Sequence, residues 1–349
     1  MARVLQSARL FLRRHETTLW WLHSGYALLV GLLAMWLGAR DFTWLRLVVF
    51  YIAFIWVTSL FLPSIGRHPR LSAEWRERVR LAVNYFHKNF YQQLLFFVLP
   101  LYYASTTFPS RNALFLALLA LSAVLSTLDI VYDRYLSVRR PLMALFFAFN
   151  LFACINVMLP VLWSVGNYRA LWASGILATA GFASVLYRGT ERGGRARMLV
   201  LGAAALLFLL IVLFRSFIPP APLRLARVEF GRSVRNLRVV APMACLPASF
   251  SGRVAVLTSI VAPMGLHEQV RHRWYLDGRL LHASPHYSVT GGRKEGYRIW
   301  TQVALNESLG GRVLTLDVET RGGQLIGRAA LAACPAGSGG PEQGRLSRR

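Results

Sequence analysis

Five polar residues in an otherwise apolar stretch are of types that could do chemistry. Asp129 and Asp133 stand four apart, a spacing that puts both carboxylates on one face of a helix. Such a pair could bind a metal or relay protons, and an ionisable residue close to a bilayer is a functional candidate by default. His87, Lys88 and Gln92 fall within Asn84-Tyr-Phe-His-Lys-Asn-Phe-Tyr-Gln-Gln. That stretch could form a binding site at one mouth of a helical bundle. The plainer alternatives are interfacial carboxylates partnered by Arg134, Arg139 or Arg140, and aromatic side chains anchoring a helix at headgroup level.

A second group lies towards the C-terminus. His267, His272, His282 and His286 are close in sequence, and His282-x-x-x-His286 has a metal-like spacing. Pro285 argues against a helix there, so neither a metal site nor a cofactor is expected. His272 shares a strand face with Trp274, and a hydrogen-bonded, partly buried ring is expected. No nucleophile elbow, CxxC pair or Cys/His zinc spacing occurs, and no catalytic residue is assigned. Cys245 and Cys334 are candidates for a disulfide if they face an oxidising compartment. Two buried, reduced cysteines on separate edges are the alternative.

The elements that must position these residues divide into two kinds. Hydrophobic residues make up 55% of the 349, and only 16% are charged, too apolar for a soluble enzyme of this size. Seven apolar spans are expected at 18–38, 42–62, 90–108, 112–132, 141–163, 169–187 and 198–218, each near the length that crosses a bilayer. They follow a basic N-terminus over 1–17, and Asn150 and Asn156 are expected to hydrogen-bond between helices. Residues 72–88 carry apolar positions at helical spacing with arginines interleaved, which predicts an amphipathic helix lying on the membrane surface. Seventeen Lys and Arg flank alternate connectors on one side of these spans, and four lie on the other. The excess of positive charge on the cytoplasmic side places the N-terminus in the cytoplasm and the C-terminal part outside. Together with arginine-rich composition, this suggests a multipass protein of a bacterial inner membrane, its C-terminal domain periplasmic or extracellular.

Residues 219–334 change character. Pro219, Pro220 and Pro222 stop the last helix, and short runs of period-two alternation follow. Asp277-Gly278, Gly291-Gly292, Gly310-Gly311 and Gly322-Gly323 punctuate them. Six or seven strands predict an all-β, immunoglobulin-like antiparallel sandwich with Trp274 in its core. The glycine-rich tail over 335–349 is expected to be disordered.

His272-Arg-Trp274-Tyr275-x-x-Gly278, Gly296-Tyr-Arg-Ile-Trp300, Gly311-Arg312 and Val318-Glu-Thr320-x-x-Gly323-x-Leu-Ile-Gly327 resemble the domain of unknown function 2914 over about residues 225–333. Val313 stands where that pattern would put an aromatic residue. The resemblance implies a membrane-tethered β domain and no activity. From residue 220 onward there are 18 Lys and Arg against 8 Asp and Glu, a basic surface that would seek anionic partners. The outward placement disfavours nucleic acid. The expected function is therefore non-enzymatic, with membrane lipids around the helices and the sandwich presented to a partner protein or acidic envelope polymer. The alternative is a membrane-embedded enzyme or carrier for a lipid-linked substrate, using His87, Lys88, Gln92, Asp129 and Asp133.

Overall fold

The computed structural model describes residues 25, 26, 29, 72, 94–128, 131, 135–136, 138–187, 193–247, 250–305 and 312–334. Among the described residues five helices precede the β domain: α1 Leu94–Ala104, α2 Asn112–Thr127, α3 Arg140–Trp163, α4 Asn167–Tyr187 and α5 Gly194–Leu213. Three of these, α3 to α5, are long and apolar enough to cross a membrane. Seven spans are therefore more than the described residues support. The expected spans at 18–38 and 42–62, the surface helix at 72–88 and the tail at 335–349 lie outside them.

The helix ends differ from expectation for local reasons. Helix α2 stops at Thr127 rather than at 132, with Leu128 at ψ 83°. The Ser126 and Thr127 hydroxyls donate to the carbonyls of Ala123 and Val124 at 2.6 and 2.7 Å, a competition with the helical ladder that favours its end. Helix α5 starts earlier than expected and ends at Leu213, followed by a 3-10 turn over Arg215–Phe217.

Buried polar groups join the helices where apolar packing alone would leave them unspecific. The Tyr102 hydroxyl donates to the Ala153 carbonyl and accepts from Asn156 Nδ2, both at 3.0 Å. Ser122 donates to Asn150 Oδ1 at 2.7 Å, so both asparagines bond between helices. Helix α4 presents small residues to its neighbours: Gly181 backs onto Phe147 and Leu151 of α3, and Gly175 onto Phe208 of α5. By contrast α5 buries only Val200 and Ala204, leaving Leu199, Leu201, Leu206, Leu209 and Leu213 more than half exposed. An apolar helix open on most sides suits hydrocarbon and not water.

Two antiparallel sheets follow. One has the order β2-β1-β3-β7, built from Arg238–Pro242, Arg224–Arg235, Gly252–Val261 and Tyr297–Leu305. The other has the order β5-β4-β8-β9, built from Arg279–Ala283, His267–Leu276, Leu314–Thr320 and Leu325–Leu331, with β6 (Tyr287–Thr290) also pairing with β4. Strand β4 alternates strictly: Glu268, Val270, His272, Trp274 and Leu276 point inward. Val256, Ile260, Ile299 and Val303 face them from the first sheet, around a fully buried Trp274. The β4–β5 hairpin turns on Asp277 and Gly278 at φ 46° and 81°, the left-handed pair that a two-residue hairpin turn requires. Leu246 and Ala333 form a parallel bridge, and beside it Cys245 and Cys334 are joined in a disulfide, their Cα atoms 4.9 Å apart.

Candidate functional site

Whatever the sandwich does, it does while fixed to the helices. Residues Ile218 to Leu223 are buried without a break. Ile218 and Ala221 belong to the helical core and Leu223 to the sandwich core. Around this segment, groups from both halves exchange hydrogen bonds. Asn112, opening α2, donates to the Leu325 carbonyl at 2.9 Å, and Gln324 donates to the Ile218 carbonyl at 3.1 Å. Asn167, opening α4, donates its side-chain amide to the Pro220 carbonyl at 3.3 Å. Its backbone N–H donates to Glu268 Oε2 at 2.5 Å. A carboxylate from β4 thus caps a helix on the other side of the junction, where the helix dipole favours negative charge. Burial pushes the Glu268 carboxyl above its ordinary range, against the hydrogen bonds from the Asn167 and Gln269 backbone that hold it down.

Beside the junction, on the outer face of the first sheet, lies a groove of about 680 Å³. Its floor is Leu257, Ser259 and Val261 of β3, a strand buried on both faces. Arg224 and Arg227 come from β1. Three residues apart, they would point to opposite faces of a regular strand. A bulge between Leu225 and Arg227 absorbs one residue and returns both arginines to the same face. Arg298 comes from β7, Lys294 from the loop before it, and Arg238 from the β1–β2 hairpin. That hairpin closes tightly: a Cβ on Gly231 would lie 2.3 Å from Val239 Cγ1 and 2.9 Å from the Val240 carbonyl oxygen. Glycine is thus required for β2 to form the groove wall. Five cationic side chains face two carboxylates, Glu229 and Glu295, and each carboxylate pairs with an arginine, Arg227 and Arg298. The groove keeps an excess of three positive charges.

The outer face of the second sheet has the same residue types in a closer balance. Arg328 makes a two-pronged pair with Asp317 at 2.6 and 2.7 Å. Arg271 and Arg273 both reach Glu319 at 3.3 Å, and the Arg273 guanidinium lies 5.3 Å from the Tyr275 ring. Asp317 and Glu319 are buried beneath these arginines. Three arginines here share two carboxylates, an excess of one, against an excess of three among the residues that line the groove.

Between the sheets, His272 is fully buried and its tautomer follows from its neighbours. Trp274 Nε1 can only donate, and does so to Thr301 Oγ1 at 3.1 Å. Thr258 donates its hydroxyl to the Ile299 carbonyl at 3.2 Å, so it accepts from His272 Nε2–H at 3.0 Å. His272 Nδ1 is then an acceptor, and Thr301 donates to it at 2.8 Å. Each proton has one acceptor, and a second ring proton would have none. Burial accordingly lowers the pKa of His272 to about 4.

The structure thus places His272 deeper than expected, entirely in the core. His267, His282 and His286 are exposed at the surface, and the described residues contain no cluster of three metal-ligating side chains. His87, Lys88, Gln92, Asp129 and Asp133 lie outside the described residues. Sequence reading missed the groove and the junction, whose members come from distant positions. Thr258 and Thr301 could have signalled the core network, since both take inward positions in otherwise apolar alternation.

Fold and site together define an apolar helical domain carrying a firmly docked two-sheet β domain with one basic face. Residues 2–242 match the family of unknown function DUF5924, and the chain belongs to that family. A second match, to the protein of unknown function DUF2914, covers residues 267–331, narrower than the 225–333 expected. The first match therefore runs through β1 and β2, and the second begins at β4. No curated protein and no solved structure is significantly similar to the chain.

Proposed function

We propose that this protein is a non-enzymatic component of a bacterial inner membrane that holds an immunoglobulin-like sandwich on the outer surface, where its basic groove binds an acidic envelope polymer or the acidic face of a partner protein. The observation that carries the reading is the groove's excess of cations, five against two carboxylates among its lining residues, beside an opposite face where three arginines are drawn onto two buried carboxylates. The strand order supports the immunoglobulin-like assignment: β1, β3 and β7 stand as strands A, B and E, and β4, β8 and β9 as C, F and G. Trp274 then occupies strand C. The arginines at 139, 140, 195 and 197, on the side of the helices away from the sandwich, support a cytoplasmic placement of that side.

Binding of fluorescent polyphosphate to the full chain in nanodiscs, read by anisotropy, tests the proposal. Arg238→Gln with Lys294→Gln should weaken binding about tenfold at low salt and flatten its salt dependence. Arg279→Gln on β5, away from the groove, should leave it unchanged. Equal losses in the two variants would refute the groove as the site.

A further inference from the structure

A second groove, on the helical domain, is of a different kind. It has a volume of about 550 Å³ and is lined by α2, α3 and α5, which contribute among others Leu118, Phe149, Leu210 and Phe214. Among the described residues Ser122 is the one polar member of that lining, and its hydroxyl is already donated to Asn150. The groove exists because α2 makes little contact with α3. It opens sideways, with Leu118, Leu145 and Leu210 exposed along it. From Leu114 to Leu125 on α2 it runs about 17 Å at helical rise. One leaflet of hydrocarbon is about 15 Å deep.

The end nearest the sandwich is cationic. The Arg111 guanidinium lies 5.8 Å from the ring of Phe217, a lining residue, and exposed Arg215 precedes that residue by two positions. No acidic residue stands in the first turn of α2. A space apolar along one leaflet's depth and doubly cationic at its mouth matches a molecule with a hydrocarbon tail and an anionic head. We propose that the groove holds one acyl chain of an anionic phospholipid, with its phosphate between Arg111 and Arg215. The cations at the mouth favour this occupant over a transmembrane helix of this chain or of a second copy, since nothing in an apolar helix calls for them.

The test places the photoreactive residue p-benzoylphenylalanine at Leu118 of the full chain. The protein is reconstituted in vesicles of phosphatidylcholine alone or of phosphatidylcholine mixed with phosphatidylglycerol, and adducts are identified by mass. In the mixture, phosphatidylglycerol adducts should exceed that lipid's share. Arg111→Gln with Arg215→Gln should cut the preference about tenfold, while Arg111→Lys with Arg215→Lys and the distant Arg139→Gln should retain it. An undiminished yield with phosphatidylcholine in the glutamine variant shows that the groove is still formed. Crosslinks within the chain or between two copies would overturn the proposal, as would a preference that survives loss of both arginines. Absence of any lipid adduct would overturn it equally.

Discussion

The core network around His272 makes a quantitative demand on the sandwich. Its pKa of about 4 lies below an ordinary 6.5, a difference worth about 3 kcal/mol at 1.36 kcal/mol per unit. Between those two values the unfolded chain takes up a proton that the folded one refuses, so stability rises with pH across the window. The contribution is fully present above pH 6.5 and is lost as pH falls through 4. Unfolding of the full chain in detergent, followed by hydrogen exchange in β3, β4 and β7 peptides, reads this directly. Carboxylates titrate in the same range, so the comparison is with His272→Gln, which should lose the steep part of the slope. Thr301→Val adds a second reading: it strands Trp274 Nε1–H and His272 Nδ1, at about 1–3 kcal/mol each. An equal pH slope in wild type and His272→Gln, or a Thr301→Val cost below about 1 kcal/mol, would refute the hydrogen-bond assignment.

Four further outcomes follow from the same geometry. Glu268→Ala should expose the first turn of α4 to hydrogen exchange, at about 0.5–2 kcal/mol for a lost cap, whereas Glu268→Gln keeps an acceptor and should not. With its pKa raised, Glu268 binds its proton more tightly in the docked state, so docking should weaken as pH rises through its titration, and Glu268→Gln should abolish that slope. Cys245→Ala opens a bridge between residues 89 apart and should cost about 4–5 kcal/mol of sandwich stability by the chain-entropy relation, measured by denaturant unfolding. Gly231→Val should lift β2 from β1, abolishing exchange protection in β2 and weakening polyphosphate binding while β4 and β8 stay protected.

What could be read from the sequence follows the reach of the signals. Strand β4 announces itself because one face is buried and the other wet, and its alternation survives in the residue types. Strand β5 is wholly exposed and β2 nearly so, so burial imposes no pattern on them; the Asp277-Gly278 hairpin turn points to β5, whereas β2 is not delimited in advance. Helices α3 to α5 fall within a few residues of expectation, since nearly every position in them is apolar. The end of α2 is set by two hydroxyls, a local effect that hydropathy does not record. The groove depends on a one-residue bulge that changes which face Arg224 shares with Arg227, and on Arg238 and Lys294 arriving from other loops. Asn112, Asn167, Glu268 and Gln324 each read as an ordinary polar residue, and only their meeting gives them a role.

The unbroken burial of residues 218–223 also governs how long the two halves stay together. A protease needs several residues of extended, accessible chain, and residues 218–223 offer none while the junction is closed. Shedding of the sandwich would require undocking first, against the hydrogen bonds of Asn112, Asn167, Glu268 and Gln324. The basic groove is therefore held at a fixed height above the helices for as long as the junction stays closed.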